Sequence, residues 1–226
     1  MERVMKRIWL VAGIIWMSVG TAFAQERFSF GPKVGVSVSN LYINADGVEE
    51  SDIVGIKPGL LIGAFAEYDF TPALGVSVDL LYSREGTESN RFDYPAQEGY
   101  SYKHKYSLQY LNIPVLINFY VAHGLAVKAG VQPGVLLGAK YRVDWEYMGQ
   151  EGSKTQDIKN NLRAYDISIP IGLSYTFDYG FFIDGRYNIS LCDIMNQSTK
   201  HELELEGASY HKVKNRTFSF SIGWKF

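Results

Sequence analysis

From Phe28 onward, large apolar side chains recur at every second position along eight stretches, with small or polar side chains between them. Successive side chains of a strand point to opposite faces, so this period predicts β-strands with one apolar and one polar face. In the first stretch Phe28, Phe30, Val34, Val36 and Val38 alternate with Ser29, Gly31, Lys33, Gly35 and Ser37. The second sets Leu60, Ile62, Ala64, Ala66, Tyr68 and Phe70 against Gly63, Glu67 and Asp69, and the third sets Leu74, Val76, Val78, Leu80 and Tyr82 against Gly75, Ser77 and Asp79. The fourth runs from Tyr106 to Val121, with Leu111 to Val121 on the apolar face and Tyr110, Asn112, Pro114, Asn118 and Tyr120 on the other. Leu125 to Leu137 alternates with Lys128, Gln132 and glycines; Tyr165 to Phe177 alternates with Asp166, Ser168, Gly172 and Ser174. In the seventh stretch Phe181, Ile183, Tyr187 and Ile189 oppose Phe182, Asp184, Arg186 and Asn188. The eighth, Thr217 to Phe226, is apolar at every even position.

The connections alternate in length. Thr71-Pro72-Ala73, Ala122-His123-Gly124 and Asp178-Tyr179-Gly180 read as tight turns, whereas residues 40–57, 84–105, 140–164 and 192–215 are polar, without apolar period, and read as long loops. Stretches of about ten residues are long enough for a tilted strand to cross a bilayer. Apolar-out, polar-in strands joined by short turns on one side and long loops on the other are the pattern of outer-membrane barrels. The expected fold is therefore all-β, an eight-stranded antiparallel up-and-down transmembrane β-barrel, with turns periplasmic and loops outside. Closure into a ring also removes the unpaired edges that lipid cannot hydrate.

The first 24 residues change the picture from membrane to exported membrane protein. Arg3, Lys6 and Arg7 precede an apolar run from Ile8 to Val19, and Ala22-Phe23-Ala24 supplies a small-x-small cleavage site. Residues 1–24 are thus expected to be a signal peptide and 25–226 one barrel domain, in the cell outer membrane and surrounded by its lipid. Loss of the leader moves the formal charge from −2 to −4, because it carries three basic residues and one acidic. Without a basic excess there is no case for nucleic-acid binding. Cys192 is the single cysteine, which excludes an intrachain disulfide.

The polar faces hold the candidate site. Lys33, Lys128, Arg186 and Lys225 alternate into the same interior as Glu67, Asp79, Asp166 and Asp184. An eight-stranded barrel is just wide enough for its side chains to fill it. These eight charges are therefore expected to form a structural network of ion pairs; a proton or solute path is the other reading.

Three segments resemble the PorT-like outer-membrane β-barrel family of Gram-negative bacteria. They are Phe30-Gly31-Pro32-Lys33-Val34-Gly35-Val36-Ser37-Val38-Ser39-Asn40-Leu41, Tyr110-Leu111-Asn112-Ile113-Pro114-Val115-Leu116-Ile117, and Arg186-Tyr187-Asn188-Ile189-Ser190-Leu191-Cys192-Asp193-Ile194. The family normally reads Gly-Leu-Thr-Asp/Asn-Ile where this chain has Ser190 to Ile194. The resemblance implies an outer-membrane barrel and, through the family's named member, an association with type IX secretion.

Other chemistry finds little support in the sequence. His104, His201 and His211 fall in the outer loops and His123 in a turn on the opposite side, without zinc-site spacing. No motif links Ser, His and carboxylate candidates into a hydrolase site, so no enzyme and no cofactor are expected. Tyr94, Tyr100, Tyr102, Tyr141, Tyr147 and Trp145 are either an aromatic girdle at the membrane interface or a partner surface. The expected role is a structural or interaction barrel, a monomer, accessory to secretion or envelope assembly, whose partner is an envelope or secretion-system protein. The alternatives are a small-solute channel and a soluble exported ligand-binding barrel.

Overall fold

A computed structural model describes residues 27–45, 48–50, 55–89, 100–147, 150–195 and 210–226. The expected signal peptide and His201 lie outside these residues, and the side chains of Tyr100, Tyr102, Tyr147 and His211 are likewise outside the description. The described strands are β1 (Phe28–Ala45), β2 (Val48–Glu50), β3 (Gly55–Thr71), β4 (Leu74–Ser89), β5 (Tyr100–Asn112), β6 (Val115–Ala122), β7 (Leu125–Tyr147), β8 (Gln150–Asp157), β9 (Tyr165–Thr176), β10 (Phe181–Ser190) and β11 (Tyr210–Trp224).

The strands close in a ring. Antiparallel neighbours run β1, β3, β4, β5, β7, β9, β10, β11, and β11 returns to β1 with Lys33 opposite Gly223 and Ser39 opposite Thr217. β5 and β6 are two parts of one stave, since both pair with β4 and β7. The break falls at Ile113-Pro114, where proline has no N–H to give the ladder. Its flanks are stitched instead by Asp79 N–H to Pro114 O at 3.0 Å and Ile113 N–H to Pro133 O at 2.9 Å. Counting β5 and β6 together, the ring has eight staves.

The ring is polar inside and apolar outside. Among the described residues 24 polar or charged side chains are buried against 11 apolar ones, while Val36, Ile62, Leu80, Ile117, Val131, Ile171 and Phe220 are exposed. Burial of apolar surface drives folding in water, so this inverted distribution requires hydrocarbon around the ring. The tight turns fall where the sequence puts them, and two depend on glycine: Gly124 at φ 74° and Gly180 at φ 85°.

The long loops differ from expectation. Strand structure continues through Ala45, Ser89 and Tyr147, resumes at Tyr100 and Tyr210, and forms an added hairpin in which Lys140 pairs with Asp157 and Tyr147 with Gln150. Past the membrane both faces of a strand meet water, so apolar alternation vanishes while the backbone ladder persists. A short 3₁₀ turn, Lys159–Asn161, then brings the chain back to the rim.

Candidate functional site

Facing side chains fill the lumen in layers. Nearest the tight turns, Glu67 receives Lys225 Nζ, Lys128 Nζ at 3.4 Å and Asn118 Nδ2 at 2.9 Å. The Tyr120 hydroxyl lies 2.6 Å from Glu67 Oε1 and 2.8 Å from Asp69 Oδ1, and Lys225 Nζ approaches Asp69 at 3.9 Å.

One layer further out, Asp79 accepts from Lys33 Nζ at 3.2 Å and Arg186 Nη1 at 2.7 Å. Asp184 meets Lys33 Nζ at 3.5 Å, Lys128 Nζ at 3.9 Å and Arg186 Nη2 at 3.0 Å. Lys33, Asp79, Asp184 and Arg186 are all buried. Beside them Phe65 and Phe182 meet edge to face, centroids 5.0 Å apart, with Lys33 Nζ 5.5 Å above the Phe182 ring. Gly223 makes room for that ring, because a Cβ there would stand 2.5 Å from Phe182 Cζ.

Towards the long connections the layer changes character. Glu85 accepts from Ser83 Oγ at 2.9 Å, Asn112 Nδ2 at 3.5 Å, Thr217 Oγ1 at 3.3 Å and Asn215 Nδ2. Asp166 accepts from Ser190 Oγ at 2.5 Å. Above them Leu108, Tyr110, Leu136 and Ala139 pack with Ile158 and Leu162 into an apolar cap.

Of the eight charges singled out in the sequence, Lys33, Glu67, Asp79, Lys128, Asp184, Arg186 and Lys225 are joined by contacts of 4 Å or less. Asp166 sits apart in the outer layer, and Asp69 takes its place opposite the four cations. Glu85 was hidden by its assignment to a loop. Carrying the odd-numbered alternation of Ser77, Asp79 and Ser83 past Tyr82 finds it, since β4 continues to Ser89.

Outside the membrane, β5, β7 and β8 carry a cavity of about 440 Å³ lined by Lys103, Lys105, Arg142, Asp144, Trp145 and Glu146 among others. Lys105 Nζ lies 3.1 Å and Arg142 Nε 2.6 Å from the Asp144 carboxylate, and these contacts, the guanidinium's hydrogen bond foremost, hold its carboxyl below the usual carboxylate range. His104 Nδ1 lies 2.5 Å from the Tyr141 hydroxyl, whereas His123 pairs with Asp178 at the far end of the barrel. Among the described residues no three His, Cys, Asp or Glu side chains gather for a metal ion.

A closed antiparallel ring, apolar towards its surroundings and filled with polar side chains, defines an outer-membrane β-barrel protein. The chain belongs to the family described as outer membrane protein beta-barrel domain, which matches residues 23–196. Several solved outer-membrane proteins are similar to this chain at low identity. The attachment invasion locus protein Ail of Yersinia pestis is 15% identical, covering 89% of this chain and 100% of its own, with a TM-score of 0.42. Neisserial surface protein A is 14% identical over 87% of this chain and 97% of its own, at 0.44. OprG of Pseudomonas aeruginosa is 12% identical over 88% and 96%, at 0.41. A search of curated proteins finds no match to the sequence.

Proposed function

We propose that this protein is a closed, non-enzymatic barrel, monomeric in the outer membrane, that works through its outward face as an accessory to secretion or envelope assembly. The observation that carries this reading is the filled lumen. Lys33, Asp79, Asp184 and Arg186 meet across the barrel within 3.5 Å, and the spaces beside them are each about the size of one water. On this reading the charge network is a structural plug rather than a path. The ring leaves no open edge in lipid for a second subunit to pair with.

What remains available to a partner is the sheet of β5, β7 and β8, with exposed Trp145 beside its mixed-charge cavity. Tryptophan is enriched at binding hot spots. The sequence segments similar to PorT-like proteins support the finer form of this role, service to a secretion machine.

Two measurements test it. Pure protein in planar bilayers should be electrically silent; steady single-channel currents would establish the solute-channel reading instead. A photo-crosslinking residue at Trp145 should capture an envelope protein in intact cells, while the same group at lipid-facing Leu173 should not. Equal yields from both positions would remove the interaction role.

A further inference from the structure

The outer chamber of the lumen is rich in acceptors. Glu85 and Asp166 both line it, and Asn188 and Asn215 line the same space. The two asparagines are 9% and 6% exposed, and the Oδ1 atom of each is buried without a hydrogen-bond partner. A buried carbonyl oxygen without a partner has lost the hydrogen bonds water gave it, so two such residues lining one space with two carboxylates call for an electropositive occupant.

No Lys, Arg or His side chain lines the chamber. The hydroxyls of Ser190 and Thr217 lie within hydrogen-bond reach of Asp166 and Glu85 but also of Cys192 O and Ser39 Oγ, and Ser168 Oγ donates to Gln132 O at 3.5 Å. Arg186 is committed to Asp79 and Asp184, and Arg163, whose charge acts on Asp166 from a distance, stacks over the Tyr165 ring, 5.6 Å from its centroid. The inner layers are balanced between cations and carboxylates, whereas this one holds two carboxylates and neutral groups.

We propose that this chamber binds one calcium-class dication. Asp166, Asn188 Oδ1 and Asn215 Oδ1 are its direct ligands, and the oxygens of Gln132, Ser190 and Thr217, which line the same space, complete a shell of about six. Glu85 stands behind as counter-charge: it holds the Asn215 amide by Nδ2 and leaves Oδ1 without a protein partner. The ligand set is all oxygen, with no His or Cys in the lining, as a hard cation requires and as zinc or copper do not. A charge of +2 matches the two carboxylates. The space holds about one water-sized sphere, which suits an ion stripped of most of its water. Magnesium, which keeps several waters, fits poorly. The ion would sit between the ion-pair plug and the apolar cap and would lock β4, β9, β10 and β11 together. The assignment goes beyond the proposed role and stands or falls apart from it.

The test uses the full protein folded in detergent or lipid vesicles and stripped with chelator. Calcium should raise its unfolding midpoint, magnesium less so and sodium hardly at all. Terbium should bind in competition with calcium and emit through excitation of Tyr110, which lines the chamber. Asp166→Asn and Asn188→Leu should abolish both signals while keeping the gel mobility of the folded barrel, and Glu85→Gln should weaken affinity by about 10- to 100-fold. If Asn188→Leu does not fold, Asp166→Asn decides alone. No midpoint shift with calcium, an equal shift with sodium, or undiminished calcium response in Asp166→Asn would each overturn the site, the last because it would assign binding to surface carboxylates.

Discussion

Arg186 and Asp184 lie two residues apart on β10, both facing inward, and the guanidinium closes on the carboxylate with Nη2 3.0 Å from Oδ2 and Nε 2.7 Å from Oδ1. The Nε contact is off the line of a hydrogen bond, so charge rather than alignment holds that side. Through Nη1 the same guanidinium reaches Asp79 on β4, across the ring. Arg186 is thus a cross-brace. Arg186→Ala should lower unfolding stability in lipid vesicles by about 3–5 kcal/mol, the usual cost of leaving a buried charge without its partner. Asp79→Asn combined with Arg186→Met should cost less than the two changes summed, and strict additivity in that cycle would deny the pairing.

The lipid face gives a second expectation. Ile171, near the middle of β9, is 49% exposed and flanked across the sheet by Ala129 and Tyr187. Ile171→Arg should cost about 2–4 kcal/mol, as for a cation at the bilayer midplane. Ile171→Leu should be neutral. Ser168→Arg, on the inward face, should also fail, because Ser168 is 3% exposed in a filled chamber. Urea titration of refolding into vesicles separates these outcomes.

Gly124 turns β6 into β7 with φ at 74°, and a Cβ there would stand 2.4 Å from Thr176 O, a backbone atom that cannot swing aside. Gly124→Ala should therefore slow hairpin closure and cost at least about 1–2 kcal/mol, the penalty for an ordinary residue in the left-handed region. Refolding kinetics followed by gel mobility would check it. A neutral result would mean that the turn relaxes to another form.

Acid should loosen the hairpin outside the membrane. The Asp144 carboxyl is held below its ordinary value by Arg142 and then Lys105, so its contribution is fully present above the unfolded-state value, near about 3.9, and fades as pH falls through the lowered one. Amide exchange along β7 and β8 should accelerate in that window. Asp144→Asn should remove the acid dependence, and a wild type with flat exchange there would contradict the assignment.

Much of this was legible in the sequence because lipid enforces a simple rule. Ile167, Ile169, Ile171 and Leu173 must face hydrocarbon, so their neighbours Asp166, Ser168 and Gly172 face in, and the eight charges read as inward come from parity alone, although only seven of them join in ion pairs. The rule ends at the bilayer surface. Above it Lys140 to Tyr147 and Gln150 to Asp157 still form a paired ladder, but with water on both faces no periodicity betrays it. Glu85 was lost for the same reason. Nor does spacing reveal that Asp166 and Glu85 share a chamber with Asn188 and Asn215, since that depends on the stagger of four strands around the ring. Which carboxylate pairs with which cation is likewise a matter of reach across the lumen.

The seam between β1 and β11 has a bearing on biogenesis. Its thirteen paired positions join the first described strand to the last. The molecule therefore has no vectorial route into lipid: β1 must wait with an unfilled edge, sheltered by something other than the bilayer, until β11 arrives. Completion of the seam is then an all-or-nothing gate. A chain lacking β11 would not be a slightly weaker barrel but an open sheet, with the edges of β1 and β10 left where lipid cannot hydrate them.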